Sequence, residues 1–290
     1  MLRLNVTLPL LLCSMFCVAQ TATEVYLFDF DRKFQLSEPV NISNNPGKYD
    51  NQPFFPDDRM IYFTATRDGQ TDVRTYNFFN ERHFWLTDTK ANEYSPQLTP
   101  SDHTLTAVKL EKDGAQGLFE YKRKRIHVEP WELIKGIKVG YYVWANRNTI
   151  VSFALEDEGS SLMVSKLRKK TNTPVAKNIG RSLHVIPGTD LISYISKEKD
   201  HWEIRSLNPK NGQTNFIIHT LEGSEDMCWT SKGVILMTKG TELFKFDPKS
   251  KDQKGWVKFA DLKDFGLGEA TRIALSPKGK KLAVVVAEKE

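Results

Sequence analysis

The side chains able to do chemistry come in six groups, each placed just ahead of a β-rich segment. Counting six residues back from a recurring polar turn gives Asp50, Tyr94, Val139, Arg181, Glu225 and Thr271. Their neighbours add Tyr49, Asn51, Glu93, Tyr141, Asp226 and Glu269. Gathered at one end of a ring, Tyr49, Asp50, Glu93, Tyr94, Arg181, Glu225, Asp226 and Glu269 make a polar mouth of carboxylates, one arginine and tyrosines. Such a set suits a small cationic or sugar-like ligand, or a metal held through oxygen. It equally suits loops that face water, with the carboxylates as unpaired surface charges.

Other chemistries find little support. The six histidines, His83, His103, His127, His184, His201 and His219, fall at unequal positions with no pair at ligand spacing. No Cys–His cluster offers a zinc site. Ser160-Ser161 and Ser182 lack a nucleophile elbow. The DGQTD of Asp68 to Asp72 shares letters with a calcium loop but lacks its late bidentate Glu, and reads as a hairpin. Cys228, in the apolar context MCW, reads as a small buried hydrophobe. The reading is no catalytic set, no cofactor and no metal.

The elements that must position these groups follow a repeat. Polar turns precede β-branched runs at Pro56, Pro100, Ala145, Pro187, Ser231 and Pro277, in steps of 44, 45, 42, 44 and 46 residues. The stretch Tyr49 to Thr87 shows a whole unit: QPFF, MIYFTAT, DVRTYNF and HFWLT, joined by turns. The Asp68-Gly69 turn marks a tight hairpin, because Gly supplies a positive φ at no steric cost. Four strands per repeat at this period make a propeller blade. The sixth unit stops after two strands, and EVYLFDF (24–30) with EPVNI (38–42) supplies the missing pair. The prediction is all-β: a six-bladed β-propeller of four-stranded antiparallel blades, closed by pairing the N-terminal strands with the C-terminal blade. A short helical piece is expected only at Leu262 to Phe265.

The unit YDNQPFFPDDRMIYFTATRDGQTDVRTY resembles the propeller repeat of TolB and related WD40-like periplasmic proteins, and SPKG at Ser276 to Gly279 is a second near-match. The resemblance spans about residues 24–288 and implies a stand-alone propeller in the bacterial envelope. TolB carries an extra N-terminal α/β domain, for which this sequence is expected to have no room.

Residues 1–19 read as a signal peptide, with Arg3 at the positive end, an apolar centre and Cys17-Val18-Ala19 before the cut. Residues 20–290 are then one propeller domain, periplasmic or secreted, with Cys228 its sole cysteine and no internal disulfide. The apolar stretch is too short for a comfortable membrane span. Lysine and arginine number 41 against 36 acidic residues, a mild net charge of +5. The densest basic run, Lys122-Arg123-Lys124-Arg125, reads as edge protection rather than a nucleic-acid contact. These features predict a monomeric, non-enzymatic binding or scaffold protein that offers its loops to a protein or peptide partner. The alternative is a metal-dependent propeller lyase or lactonase acting on a sugar acid.

Overall fold

The computed structural model describes residues 21–101, 104–122 and 128–288. The leader read over residues 1–19 and the basic residues 123–125 lie outside the described residues, as do His103 and His127.

Six four-stranded antiparallel sheets are arranged as blades. The first has strands Asn51–Phe54, Met60–Arg67, Gln70–Asn77 and Arg82–Trp85, from the inside outward. The inner strands of the next four blades are Asn92–Leu98, Lys138–Asn146, Ile179–Val185 and Met227–Trp229. The sixth blade is composite. Its inner strands Ala270–Leu275 and Lys281–Ala287 come from the end of the chain, and its outer strands Thr23–Asp29 and Val40–Asn41 from the start. Seven residue pairs, from Thr23↔Ala287 to Asp29↔Lys281, zip the two ends together. That pairing completes the sixth blade and closes the ring, and the six-bladed propeller expected from the turn spacing is what forms.

The strands alternate between their two faces, so each blade buries residues against both neighbours. The core is accordingly divided into six apolar clusters, one per seam. Phe63 and Ile61 meet Val25, Val285 and Ala283 across the closing seam. Tyr62 and Val73 meet Leu105, Ala107 and Tyr121 across the next. Among the described residues two short 3-10 turns interrupt the strands, Leu167–Lys169 and the anticipated Leu262–Phe265. The second is capped at its start by Asp261, whose side chain accepts from Lys263 N. Among the described residues no helix is long and apolar enough to cross a membrane.

The Asp68-Gly69 hairpin has both central residues at positive φ, 48° and 82°, the mirror-image turn that matches strand twist. No atom lies within 4 Å of a Cβ added at Gly69, so backbone strain alone opposes a side chain there. Gly69→Ala is expected to cost about 1 kcal/mol, read as a small drop in urea midpoint with unchanged slope.

Candidate functional site

The site begins with an irregularity shared by the inner strands. Five of the six break register with the second strand: between Asn51 and Phe54, Tyr94 and Gln97, Val139 and Tyr141, Ile179 and Leu183, and Ala270 and Arg272. A bulge bends the strand and re-aims the residues around it. In the first two blades it falls at Gln52-Pro53 and Ser95-Pro96, with φ of 56° at Gln52 and 52° at Ser95. The proline ring disfavours that conformation in the residue before it, so both positions hold strain. The Gln52 side chain ties them together: its Oε1 accepts from Thr64 Oγ1 and from Ser95 N, each at 2.8 Å.

Around these bends, one residue from each blade contributes to a single polar layer. In blade order they are Tyr49, Tyr94, Tyr141, Arg181, Asp226 and Arg272. Arg181 donates from Nε to Asp226 Oδ2 at 2.9 Å, and its Nη2 reaches both the same carboxylate and Thr271 O. Arg272 faces the other oxygen, Nη1 to Asp226 Oδ1 at 3.4 Å. Its Nη2 donates to Tyr141 Oη at 3.0 Å, across the ring from the sixth blade to the third, and its guanidinium lies over the Tyr141 ring. Tyr49 and Tyr94 contact edge to face at 6.4 Å between centroids. Burial pushes the Tyr49 hydroxyl up to about 12, against the pull of Arg272 and Arg181. Burial also works against the charge on Arg272, but Asp226 and the tyrosine oxygens outweigh it and hold the guanidinium above its ordinary range. The layer thus bars the channel with a charged bridge.

Beside this layer is a cavity of about 340 Å³ to which all six inner strands contribute. Its polar wall includes Gln52, Ser95, Gln97, His184, Asp226 and Arg272; Phe54, Leu183, Trp229 and Leu275 are apolar. The lining continues to Phe55, Val185 and Pro187, toward the far ends of the inner strands. His184 is kept neutral by burial, which pulls its pKa to about 4, and its Nε2 is 3.0 Å from Ser182 Oγ. Ser182 Oγ also meets Met227 N and Met227 O at 3.2 Å, so it stitches two inner strands together and is not a free nucleophile.

The expected mouth residues separate in the structure. Arg181 and Asp226 line the cavity, and Tyr49 and Tyr94 belong to the barring layer. Glu225 is drawn aside by Lys197 at 2.5 Å. Glu269 is exposed, ahead of the last inner strand. Asp50 and Glu93 do not reach the mouth, because they are fully buried between blades. Asp50 Oδ1 accepts from Thr66 N at 3.0 Å, and burial lifts its carboxyl to about 6. Glu93 Oε1 accepts from Thr89 Oγ1 and Tyr121 Oη, and burial, aided by the Asp72 carboxylate, lifts it to about 8. Arg272 was missed because the turn count lands one residue short of it, on Thr271, the extra residue of the bulge between Ala270 and Arg272. Among the described residues no three His, Cys, Asp or Glu side chains are grouped to hold a metal.

No family model and no curated protein matches the sequence. Solved structures do match. A protein assigned as TolB from Agrobacterium tumefaciens superposes over 93% of this chain and 100% of its own, with a TM-score of 0.72 and 11% identity. The fold is a TolB-like six-bladed propeller. A chain of the nidogen–laminin complex covers 93% of this TolB-like propeller and 100% of itself, with a TM-score of 0.62 and 10% identity. Oligogalacturonate lyase in complex with manganese covers 93% and 99%, with a TM-score of 0.54 and 13% identity. At such identities the likeness is one of fold, and the TolB-like ring has to be read from its own side chains.

One of those side chains makes a direct prediction. Cys228 is buried beside Leu236 and Leu243, and burial pushes its thiol well above the ordinary range. A thiolate-selective disulfide reagent at pH 8 is expected to leave native Cys228 unmodified and to titrate one thiol of the residue 20–290 protein after denaturation. Rapid reaction of the native protein would place Cys228 in an open position.

Proposed function

We propose that this chain is a non-enzymatic binding protein of the bacterial envelope, whose propeller takes hold of a protein or peptide partner at the end of its channel. The observation that carries the reading is the barred channel. Six side chains, one per blade, are committed to one another, and what remains is a blind cavity walled by polar and aromatic groups. A rigid concave site of this size suits a group inserted from a partner. Export rests on the leader read at residues 1–19, and one fold neighbour is itself part of a protein complex. The metal-dependent sugar-acid enzyme is less well supported. It needs convergent donors, whereas Asp50 and Glu93 lie in separate seams and Glu225 is paired with Lys197.

The test is a photo-crosslinking residue placed at Val185, 39% exposed on the cavity rim, against Val257, 46% exposed on an outer strand. A discrete envelope adduct from position 185 and none from 257 is the expected result. Equal adducts from both, or a metal-dependent thermal shift with sugar acids that EDTA abolishes, would overturn the reading.

A further inference from the structure

We propose that the channel cavity is a carboxylate site, taking the free carboxylate at the end of an apolar group. The C-terminal residue of a peptide and a free apolar acid share that chemistry. The proposal deepens the partner-binding reading and rests on it.

Charge comes first. Two guanidinium groups, Arg181 and Arg272, share one carboxylate, Asp226. The other nearby carboxylate, Glu225, is 3.9 Å from Arg181 and is held by Lys197 at 2.5 Å. The Arg–Asp–Arg cluster therefore carries one positive charge in excess where it meets the cavity. A guanidinium matches a carboxylate in geometry as well as charge, through paired N–H donors.

Unmet hydrogen-bonding groups come second, and they are independent of the charge count. Arg272 Nε and Ser95 Oγ are buried and have no partner among the described residues, and both residues line the same cavity. Buried polar groups are nearly always satisfied, so two orphans in one cavity point to a missing acceptor. Ser95 is held there at some cost. Its backbone is left-handed at φ 52°, before Pro96, and its N–H is taken by Gln52 Oε1, leaving the hydroxyl free. Strain of this kind is kept where a side chain must be aimed.

The walls then set what the carboxylate is attached to. Phe54, Val143, Leu183, Trp229 and Leu275 surround the space, and about 340 Å³ accepts one large apolar side chain with its carboxylate. Entry is from the far ends of the inner strands, where Phe55, Val185 and Pro187 form the rim, since the cross-ring Arg272–Tyr141 contact bars the other end.

The experiment titrates the mature protein with N-acetylphenylalanine, its amide, octanoate, and a tetrapeptide ending in Phe with a free or amidated terminus. Trp229 in the wall supplies a fluorescence readout, and calorimetry checks it. The free acids are expected to saturate, and the amides to bind at least tenfold more weakly. Ser95→Ala should weaken the acid several-fold, and Arg272→Lys at least tenfold with the strand circular dichroism intact. A peptide acid tighter than octanoate assigns a chain terminus, and the reverse order assigns a free apolar acid. Equal binding of acid and amide, or no binding by any probe, overturns the proposal. Should Arg272→Lys not fold, Ser95→Ala and the acid-to-amide ratio decide. A rim crosslink at position 185 that persists while acid and amide bind alike leaves the partner reading standing and removes the carboxylate site.

Discussion

Asp226→Ala is expected to lower stability by about 3–5 kcal/mol, because it removes the one carboxylate shared by the nearly enclosed Arg272 and the partly exposed Arg181. The loss comes less from the missing attraction than from what stays behind. Arg272 is almost fully enclosed and would face Arg181 across the channel with its own charge unpaired, while Arg181 would keep the longer contact to Glu225. A protein of this length loses roughly 2–4 °C of melting temperature per kcal/mol, so a drop of about 10 °C is the readable result. Asp226→Asn keeps the shape and two acceptor sites on its carbonyl, and should fall between the variant and the parent. Asp190 makes the useful contrast. It pairs with Lys210 at 2.6 Å, but both side chains stand mostly in water, so Asp190→Ala should leave the melting curve in place. Matching losses for Asp226→Ala and Asp190→Ala would show that the charged bridge does nothing for the ring.

The contrast between what the sequence made legible and what it hid has a physical source. Blade architecture depends on turns, and turns write themselves into short stretches of Pro, Asp, Asn and Gly whose spacing survives in the fold. Hence six blades, the composite last blade and the helical turn at Leu262 were readable. The channel layer depends on which of two adjacent residues faces inward, and a strand changes face at every residue. A count from the turns carries across a regular strand but not across a bulge. Tyr94 and Arg181 fell on the counted positions, Asp226 and Tyr49 one residue away and Tyr141 two away, while the sixth blade returned Thr271, the residue before Arg272. Asp50 and Glu93 show the same error in reverse. They are direct neighbours of channel-layer residues and so fall into the seams, where a carboxylate is the least expected group. Sequence polarity could not separate them, because a buried acid and an exposed acid share one letter.

The buried Glu93 leads to the second large effect, an unusual dependence of stability on pH. Glu93 is enclosed beside Asp72, and the Asp72 carboxylate pairs with Arg67 Nε at 2.7 Å. Burial disfavours the charge on Glu93 and the neighbouring Asp72 disfavours it further, so Glu93 keeps its proton. An acid whose folded pKa lies above its unfolded value binds its proton more tightly in the folded state. Its contribution is intact below the unfolded pKa of about 4.5 and is lost as the pH climbs to about 8. At about 1.4 kcal/mol per unit the whole span is roughly 5 kcal/mol. Between pH 5 and pH 8.5, about 2–4 kcal/mol is the loss to expect. Asp50, lifted to about 6, adds in the same direction below pH 6. Glu93→Gln replaces the acid with a neutral side chain of the same shape that can still accept from Thr89 and Tyr121. Urea denaturation at pH 5, 7 and 8.5 should show the parent weakening with pH and the variant weakening far less, ending more stable than the parent at pH 8.5. Parallel curves for the two proteins would mean that Glu93 ionises freely in the seam. Glu93 directly precedes Tyr94 and Ser95 on the same inner strand. Its proton therefore steadies the strand that holds the strained Ser95 at the cavity wall, and a carboxylate that looked like a ligand from the sequence acts as support for one.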